Sequence, residues 1–377
     1  MLNTKSLFSK SHYIIIWFVI LSLCFDFIDK IEIFYRIDFV KFNRYLKLGF
    51  ILYALLFIIT HLKIVLKNTK LVIFSLLALI ILFVLKFNFS DRYLYEFIRY
   101  VFMLIVFPLL YYVYNNKTHN LLTSLYLIFR GFIIANALAI LISLMFDVAV
   151  FNSYRGSRFG YNGFILSQGI TPYVYLAATV LFWKIKDRAM LIITIITSLL
   201  SGIKGVYFAE FLVIVLLLIF NKELNKTTKI KGMLMSILAF ILSITLLFKL
   251  PNFEKAYKVK GFISTLFSQR TDNAIDIINS ITVENYNVLI GVTKLSKVRL
   301  ELQIADLLLF FGVLGLLVYI LFIWFLNKNL VNNVASKAFF ITCLSTSALS
   351  GNLLYIPFAS ILMLLVLLAL NKQSQIK

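Results

Sequence analysis

The chain has 377 residues, 62% of them hydrophobic and 14% charged, with a formal net charge of +21. Soluble domains carry about 45–50% apolar and about 25% charged residues, so the composition excludes an ordinary water-soluble enzyme. Long apolar runs follow one another without the alternation of barrel strands, which predicts an all-α, polytopic integral membrane protein.

The first segment, "KSLFSKSHYIIIWFVILSLC", has the basic and apolar regions of a signal peptide but no small residues at a cleavage site, so an uncleaved first helix is expected. About twelve transmembrane helices satisfy the bilayer length. They fall near 12–28, 46–66, 71–87, 96–114, 121–146, 164–183, 188–201, 204–220, 232–249, 303–326, 337–350 and 352–370. The chain thus forms a single transmembrane domain, 1–377, with one large hydrophilic loop at 250–301. Cys24 and Cys343 lie inside apolar runs and suggest neither a disulfide nor a metal site.

Loop charge sets the orientation. With the N-terminus in the cytoplasm, the loops "HLKIVLKNTK", "NNKTHN", "KIKDR", "NKELNKTTKIK", "NKNLVNNVASK" and the tail "NKQSQIK" all lie inside, and all carry Lys or Arg. Both termini are then cytoplasmic. The basic outside loop "DKIEIFYRIDFVKFNRYLK" runs against this frame, and the agreement of the later loops outweighs it. Since the bases sit in short loops beside the bilayer, membrane lipids rather than nucleic acid account for many of them.

Three outward segments carry the distinctive charges. "FNSYRGSRFGYNG" (151–163) holds Arg155 and Arg158, which one helical turn would set on the same side. "SGIKG" (201–205) flanks Lys204 with glycines that let backbones approach closely or break a helix. The loop 250–301 has apolar residues at helical spacing and predicts one or two helices at the membrane surface. It carries Arg270 and leads through Arg299 and Glu301 to Asp306 at the tenth span. Lipid headgroups explain the lysines of "FEKAYKVK". A cationic cavity for an anion explains the arginines, whose planar fork suits phosphate. Glu210 lies within a span and needs a partner. Glu301 and Asp306 are five apart, so a helix would turn them away from each other.

His12, His61 and His119 are scattered, no ligand spacing suggests a metal, and no nucleotide or hydrolase fingerprint occurs. The residues on offer suit either cofactor-free group transfer from a phosphate leaving group or simple binding of an anion for transport.

The order of these segments resembles the Wzy-type O-antigen polymerases, within the group that includes the O-antigen ligases. The likeness rests on "SYRGSRFGYNG", "SGIKG", "SQRTDNAIDII", "VLIGVTKLSKVRLELQIADLLLFFGVLGLL" and "SALSGNLLYIPFA", over about 150–370. It implies that polyprenyl-pyrophosphate-linked repeat units are joined at the periplasmic face of the cell inner membrane, without metal or cofactor. Arg158, Lys204 and Arg270 would stand for the family's basic residues, and Glu301 and Asp306 for its acidic pair. Arg158 and Arg270, with Lys204, would meet the pyrophosphate, Glu301 would act as base, and Arg155, Arg299 and Asp306 would help bind substrate. A chain-length regulator and other polysaccharide export proteins are the expected partners. Lys stands at 204 where Arg is more usual, and no histidine follows His119, which favours polymerase over ligase. A lipid-linked oligosaccharide flippase is the rival from another class.

Reporter fusions after Asn162 and within 255–298 are expected to read as periplasmic, and fusions at 223–230 and after Asn371 as cytoplasmic. A cytoplasmic signal near Lys258 would overturn the orientation.

Overall fold

The computed structural model describes residues 10–86, 90–115, 120–156, 158–266, 270–282, 284–293 and 299–371. His119, Lys294 and Lys297 lie outside them. Fourteen α-helices occur among the described residues. In chain order they are α1 (Ser11–Tyr35), α2 (Phe42–Thr60), α3 (Leu62–Val84), α4 (Asp91–Asn115), α5 (Leu121–Phe146), α6 (Thr171–Ile185) and α7 (Arg188–Leu200). The second half holds α8 (Lys204–Phe220), α9 (Lys226–Phe248), α10 (Pro251–Leu266), α11 (Arg270–Asn279), α12 (Gln303–Leu330), α13 (Val334–Ser350) and α14 (Pro357–Asn371). Between α11 and α12 two short strands, β1 (Tyr286–Asn287) and β2 (Gly291–Val292), pair antiparallel.

Among the described residues six helices, α2 to α5, α9 and α12, are long and apolar enough to cross a membrane. α7, α13 and α14 are apolar but shorter. Helices α4, α6 and α14 form the centre, with α6 buried continuously from Thr171 to Phe182 and α14 from Pro357 to Leu370. By contrast α9 buries only Leu247. Large apolar side chains such as Met145, Ile59 and Met235 are more than two-thirds exposed, at 73%, 72% and 72%. Such an apolar exterior suits lipid and not water.

The helices run between two ends of the bundle. At one end His12 meets Tyr114 at 3.1 Å, the Tyr126 hydroxyl donates to Asp187 at 2.9 Å, and Asn333 donates to the Leu370 carbonyl at 2.9 Å. At the other end the Lys30 ammonium donates to the Gly163 carbonyl at 2.6 Å and Arg99 donates to the Tyr355 hydroxyl at 2.7 Å. Four helices that start at the first end have side-chain caps: Asn120 on α5, Asp187 on α7, Asn225 on α9 and Asn333 on α13. Each side-chain oxygen accepts an otherwise orphaned N–H of the first turn.

Two expected elements differ in detail. The loop around 61–70 is helical, so α2 and α3 are separated only by a break at His61 and a kink at Thr69. The Thr69 hydroxyl donates to the Val65 carbonyl at 2.8 Å and satisfies one acceptor at that kink. The sixth expected span begins late, at Thr171, because residues 163–170 form turns. Asn162 holds them, donating to the Ile165 carbonyl at 3.1 Å and the Thr171 hydroxyl at 2.9 Å. Glu210, buried in α8, finds its partner in Thr179, whose hydroxyl reaches both carboxylate oxygens at 3.0 and 2.9 Å.

The large loop contains α10, α11 and the β1–β2 hairpin, and the hairpin enters a break in α12. At Gly312 the chain leaves the helix, with φ 68° and ψ −168°. The N–H groups of Val313 and Leu314 turn to the Val288 and Leu289 carbonyls at 2.9 and 3.2 Å. Lys86 donates to the freed carbonyl of Phe310. Broken helix is tolerated at membrane depth only where the protein satisfies it in this way.

A Cβ on Gly312 would meet the Leu289 backbone at 2.4 Å, whereas one on Gly131 meets nothing within 4 Å. Gly312→Ala is therefore expected to destabilise the detergent-solubilised protein by ~2 kcal/mol or more, combining backbone strain with displacement of the hairpin. Gly131→Ala should leave the melting temperature unchanged or raise it. Equal melting curves for the two variants would contradict the docking of hairpin and helix.

Candidate functional site: a cationic cavity at one end of the bundle

The irregular segments that interrupt the bundle meet at the end where Lys30 and Arg99 make their contacts. The loop 151–163 and the "SGIKG" turn lie against each other. Tyr161 N–H donates to the Leu200 carbonyl at 2.8 Å, and the Ser153 hydroxyl to the Ser201 carbonyl at 2.6 Å. Gly202, at φ 66°, is required here, since a Cβ would lie 2.6 Å from the Phe159 carbonyl oxygen. From the other side α1 grips the continuation of the loop. Lys30 donates to the Gly163 carbonyl, and Asp26 accepts the Leu166 N–H at 2.8 Å.

These segments enclose a cavity of about 660 Å³. Its wall carries Arg99, Arg158, Lys204, Arg270 and Arg299 against one carboxylate, Glu301. α6 and α8 begin at this wall, and at their N-cap positions stand Ile170 and Ile203, which have no side chain to accept the first N–H groups. The positive ends of both helix dipoles thus add to the field of the side chains.

The five cations are held in two ways. Arg270 donates through Nε to Glu301 at 3.1 Å and through Nη1 to the Leu349 carbonyl at 3.1 Å. Arg299 donates to the Gly351 carbonyl at 3.2 Å and to Asn352, and its Nε lies 3.9 Å from Asp306. Its guanidinium and that of Arg99 each lie 3.8 Å from the Tyr355 ring centroid. The Tyr355 hydroxyl donates onward to Glu96 at 3.0 Å. Arg158 and Lys204, however, form no ion pair among the described residues. Arg158 lies 3.8 Å from the ring centroid of Tyr154 and 4.7 Å from that of Phe253, and its buried Nε has no hydrogen-bond partner. Lys204 is 5.0 Å from the Phe253 ring and donates to the Thr265 carbonyl at 2.5 Å. Aromatic faces position a cation without neutralising it, and neither cation is paired with a carboxylate among the described residues. Burial pushes the Tyr154 phenol above its ordinary value, and Arg158 and Arg270 pull it back.

Of the residues singled out from sequence, Arg158, Lys204, Arg270, Arg299 and Glu301 share this cavity. Arg155 does not line it. The stretch 153–156 forms bends and not a helical turn, so Arg155 points into two neighbouring hollows that Arg158 also reaches. Asp306 does not line it either. It is wholly buried and accepts the N–H groups of Leu300 and Glu301 at 2.5 and 3.1 Å, shaping the turn before α12. Glu301 sits outside the helix at φ 62°, an uncommon conformation for this residue type. Glu301 and Asp306 are thus neighbours through one turn, and Glu301 alone faces the cavity.

Arg99, Tyr154, Phe253 and Tyr355 join the site without having stood out in the sequence. The Tyr154–Arg158 spacing was a local signal. The meeting of two arginines from distant segments on the Tyr355 ring had none. No family model, curated protein or solved structure matches the chain, so the chemistry of this cavity has to be argued from its own residues.

Proposed function

We propose that this protein is a membrane glycosyltransferase that polymerises polyprenyl-pyrophosphate-linked repeat units at the periplasmic face of the inner membrane. In this reading it crosses the membrane about twelve times, keeps both termini in the cytoplasm, and works with a chain-length regulator and export proteins. The observation that carries the reading is the pair of uncompensated cations, Arg158 and Lys204, in one cavity with the Arg270–Glu301 pair. That combination offers fixed positive charge for a leaving group beside a carboxylate able to accept a proton.

The reaction follows from these roles. A hydroxyl oxygen of the incoming repeat attacks the anomeric carbon of the growing chain. The bond from that carbon to the pyrophosphate oxygen breaks, and the electron pair leaves with the lipid pyrophosphate. Arg158, Lys204 and Arg270 meet the charge that grows there. The hydroxyl proton passes to Glu301. Arg270 also ties Glu301 in place at 3.1 Å, so pyrophosphate drawing on Arg270 would free the carboxylate as the chemistry begins. Arg299 and Asp306 build the turn that carries Glu301. A transporter would need charged cavity residues on both sides of the midplane. Here the cluster of cations occupies one end, which favours group transfer over flipping.

Arg158→Ala and Arg270→Ala are each expected to lower chain extension by roughly 10²-fold or more at equal membrane abundance. Lysine at either position should restore only part of it, because the ammonium lacks the planar fork. Wild-type extension in both alanine variants would reduce these arginines to lipid-facing charges.

Glu301→Gln keeps the shape and removes the base, a loss of about 10²–10⁴-fold. In a host with an independent ligase the surface polysaccharide should then show one repeat unit and no ladder of longer chains. In a strain lacking this protein, a bare anchor with long chains on polyprenyl lipid would mark a ligase instead. Lipid-linked repeats retained inside the cell would mark a flippase.

A further inference from the structure

A second cavity, of about 760 Å³, lies beside the first, between the ends of α1, α2 and α4. Arg99 lines both, so one guanidinium stands in the partition. The two differ in chemistry. The first sets five cations against one carboxylate. The second mixes carboxylates Asp29, Glu32 and Asp91 with bases that include Arg44 and Lys47. The Tyr95 ring lies near both Arg44 and Arg99, with centroid distances of 5.5 and 5.2 Å.

Carboxylates, an amide and an aromatic ring are the groups that hold sugars, since carboxylates accept from hydroxyls and rings cover apolar sugar faces. Asn43 donates to Asp29 at 3.0 Å, while its own buried carbonyl oxygen has no partner. An acceptor is thus left for a hydroxyl. Lys47 makes no ion pair or hydrogen bond among the described residues, so a cation is left for a phosphate. Ile51 and Phe102 add apolar wall, and the lining residues Leu48 and Ile33 are exposed, at 42% and 45%.

We propose that this second cavity seats the acceptor, a single lipid-linked repeat unit. Its sugar hydroxyls lie on Asp29, Asn43 and Asp91, its lipid phosphate on Arg44 and Lys47, and its attacking hydroxyl passes Arg99 into the first cavity. The assignment rests on the polymerase reading. The acceptor keeps its pyrophosphate, so its seat needs hydroxyl recognition and modest positive charge. The donor loses its pyrophosphate, so its seat needs the stronger field of the first cavity.

Photo-crosslinking in cells separates the two seats. A benzoylphenylalanine is placed at Leu48 for the second cavity, or at Ile244 for the first, in variants that keep the ladder and the abundance of the wild type. The glycan-bearing adducts are then sized. The expected result is a single repeat captured at Leu48 and a ladder of chain lengths at Ile244. Combining the Leu48 crosslinker with Arg44→Ala and Lys47→Ala should lower single-repeat capture roughly tenfold or more, through loss of two charge contacts to a lipid phosphate, with capture at Ile244 retained. The same ladder at both positions would overturn the assignment, as would ordinary phospholipid alone at Leu48 beside a ladder at Ile244, or capture at Leu48 that ignores both alanines. Glycan at neither position would overturn the polymerase reading itself, and this assignment with it.

Discussion

A backbone that leaves the helix in a water-poor environment must replace each lost hydrogen bond from within the protein. Here the chain leaves the helix repeatedly at one end of the bundle, and buried side chains answer each time. Lys30 and Asp26 serve the turn after Gly163, Lys86 serves the break at Phe310, and Asp306 serves the turn at Leu300 and Glu301. The cavity exists because these segments can remain irregular without orphaned donors and acceptors. Removing any of these side chains would leave buried backbone groups unsatisfied, at about 1–3 kcal/mol each.

Two populations of charge result. One is spent on the fold: Asp26, Lys30, Lys86, Asp306 and the hydroxyl-bound Glu210 are all buried and engaged. The other faces open space. Arg158 and Lys204 are propped on Tyr154 and Phe253, and Arg270 shares itself between a carbonyl and the single carboxylate of the cavity. An intramembrane charge therefore does not mark function here by rarity alone. What distinguishes the second population is that it lines open space in which one carboxylate faces five cations, and that excess of positive charge suits an anion.

Much of the fold could be read along the chain. Each expected span overlaps a helix, and the segment 121–146 matches α5 at both ends, where Asn120 caps its start. The errors fell where local pattern and tertiary satisfaction diverge. "HLKIVLKNTK" reads as a polar loop yet continues as helix, and the apolar start of 164–183 is held in turns by Asn162 and by Asp26 from a distant helix. Of the candidate site, Arg158 and Lys204 were legible as charges among glycines, and Arg270, Arg299 and Glu301 as charges of the long hydrophilic loop and its end. Asp306 was legible as a charge but not as a buried brace, because its role depends on N–H groups that face it only after the turn forms.

The sequence by itself determined the class of molecule, the positions of its apolar helices and the ends at which its charges collect. Those follow from local quantities: the apolar length that a bilayer demands and the residue types allowed at turns. The tertiary structure alone decided which charges converge, that Arg155 stands apart from Arg158, and that two cavities share the Arg99 partition. Convergence joins residues far apart in the chain, as when Arg99 and Arg299 both close on the ring of Tyr355. No local periodicity encodes such a meeting. It is set by how the helices pack and by where the broken ones find their missing hydrogen bonds.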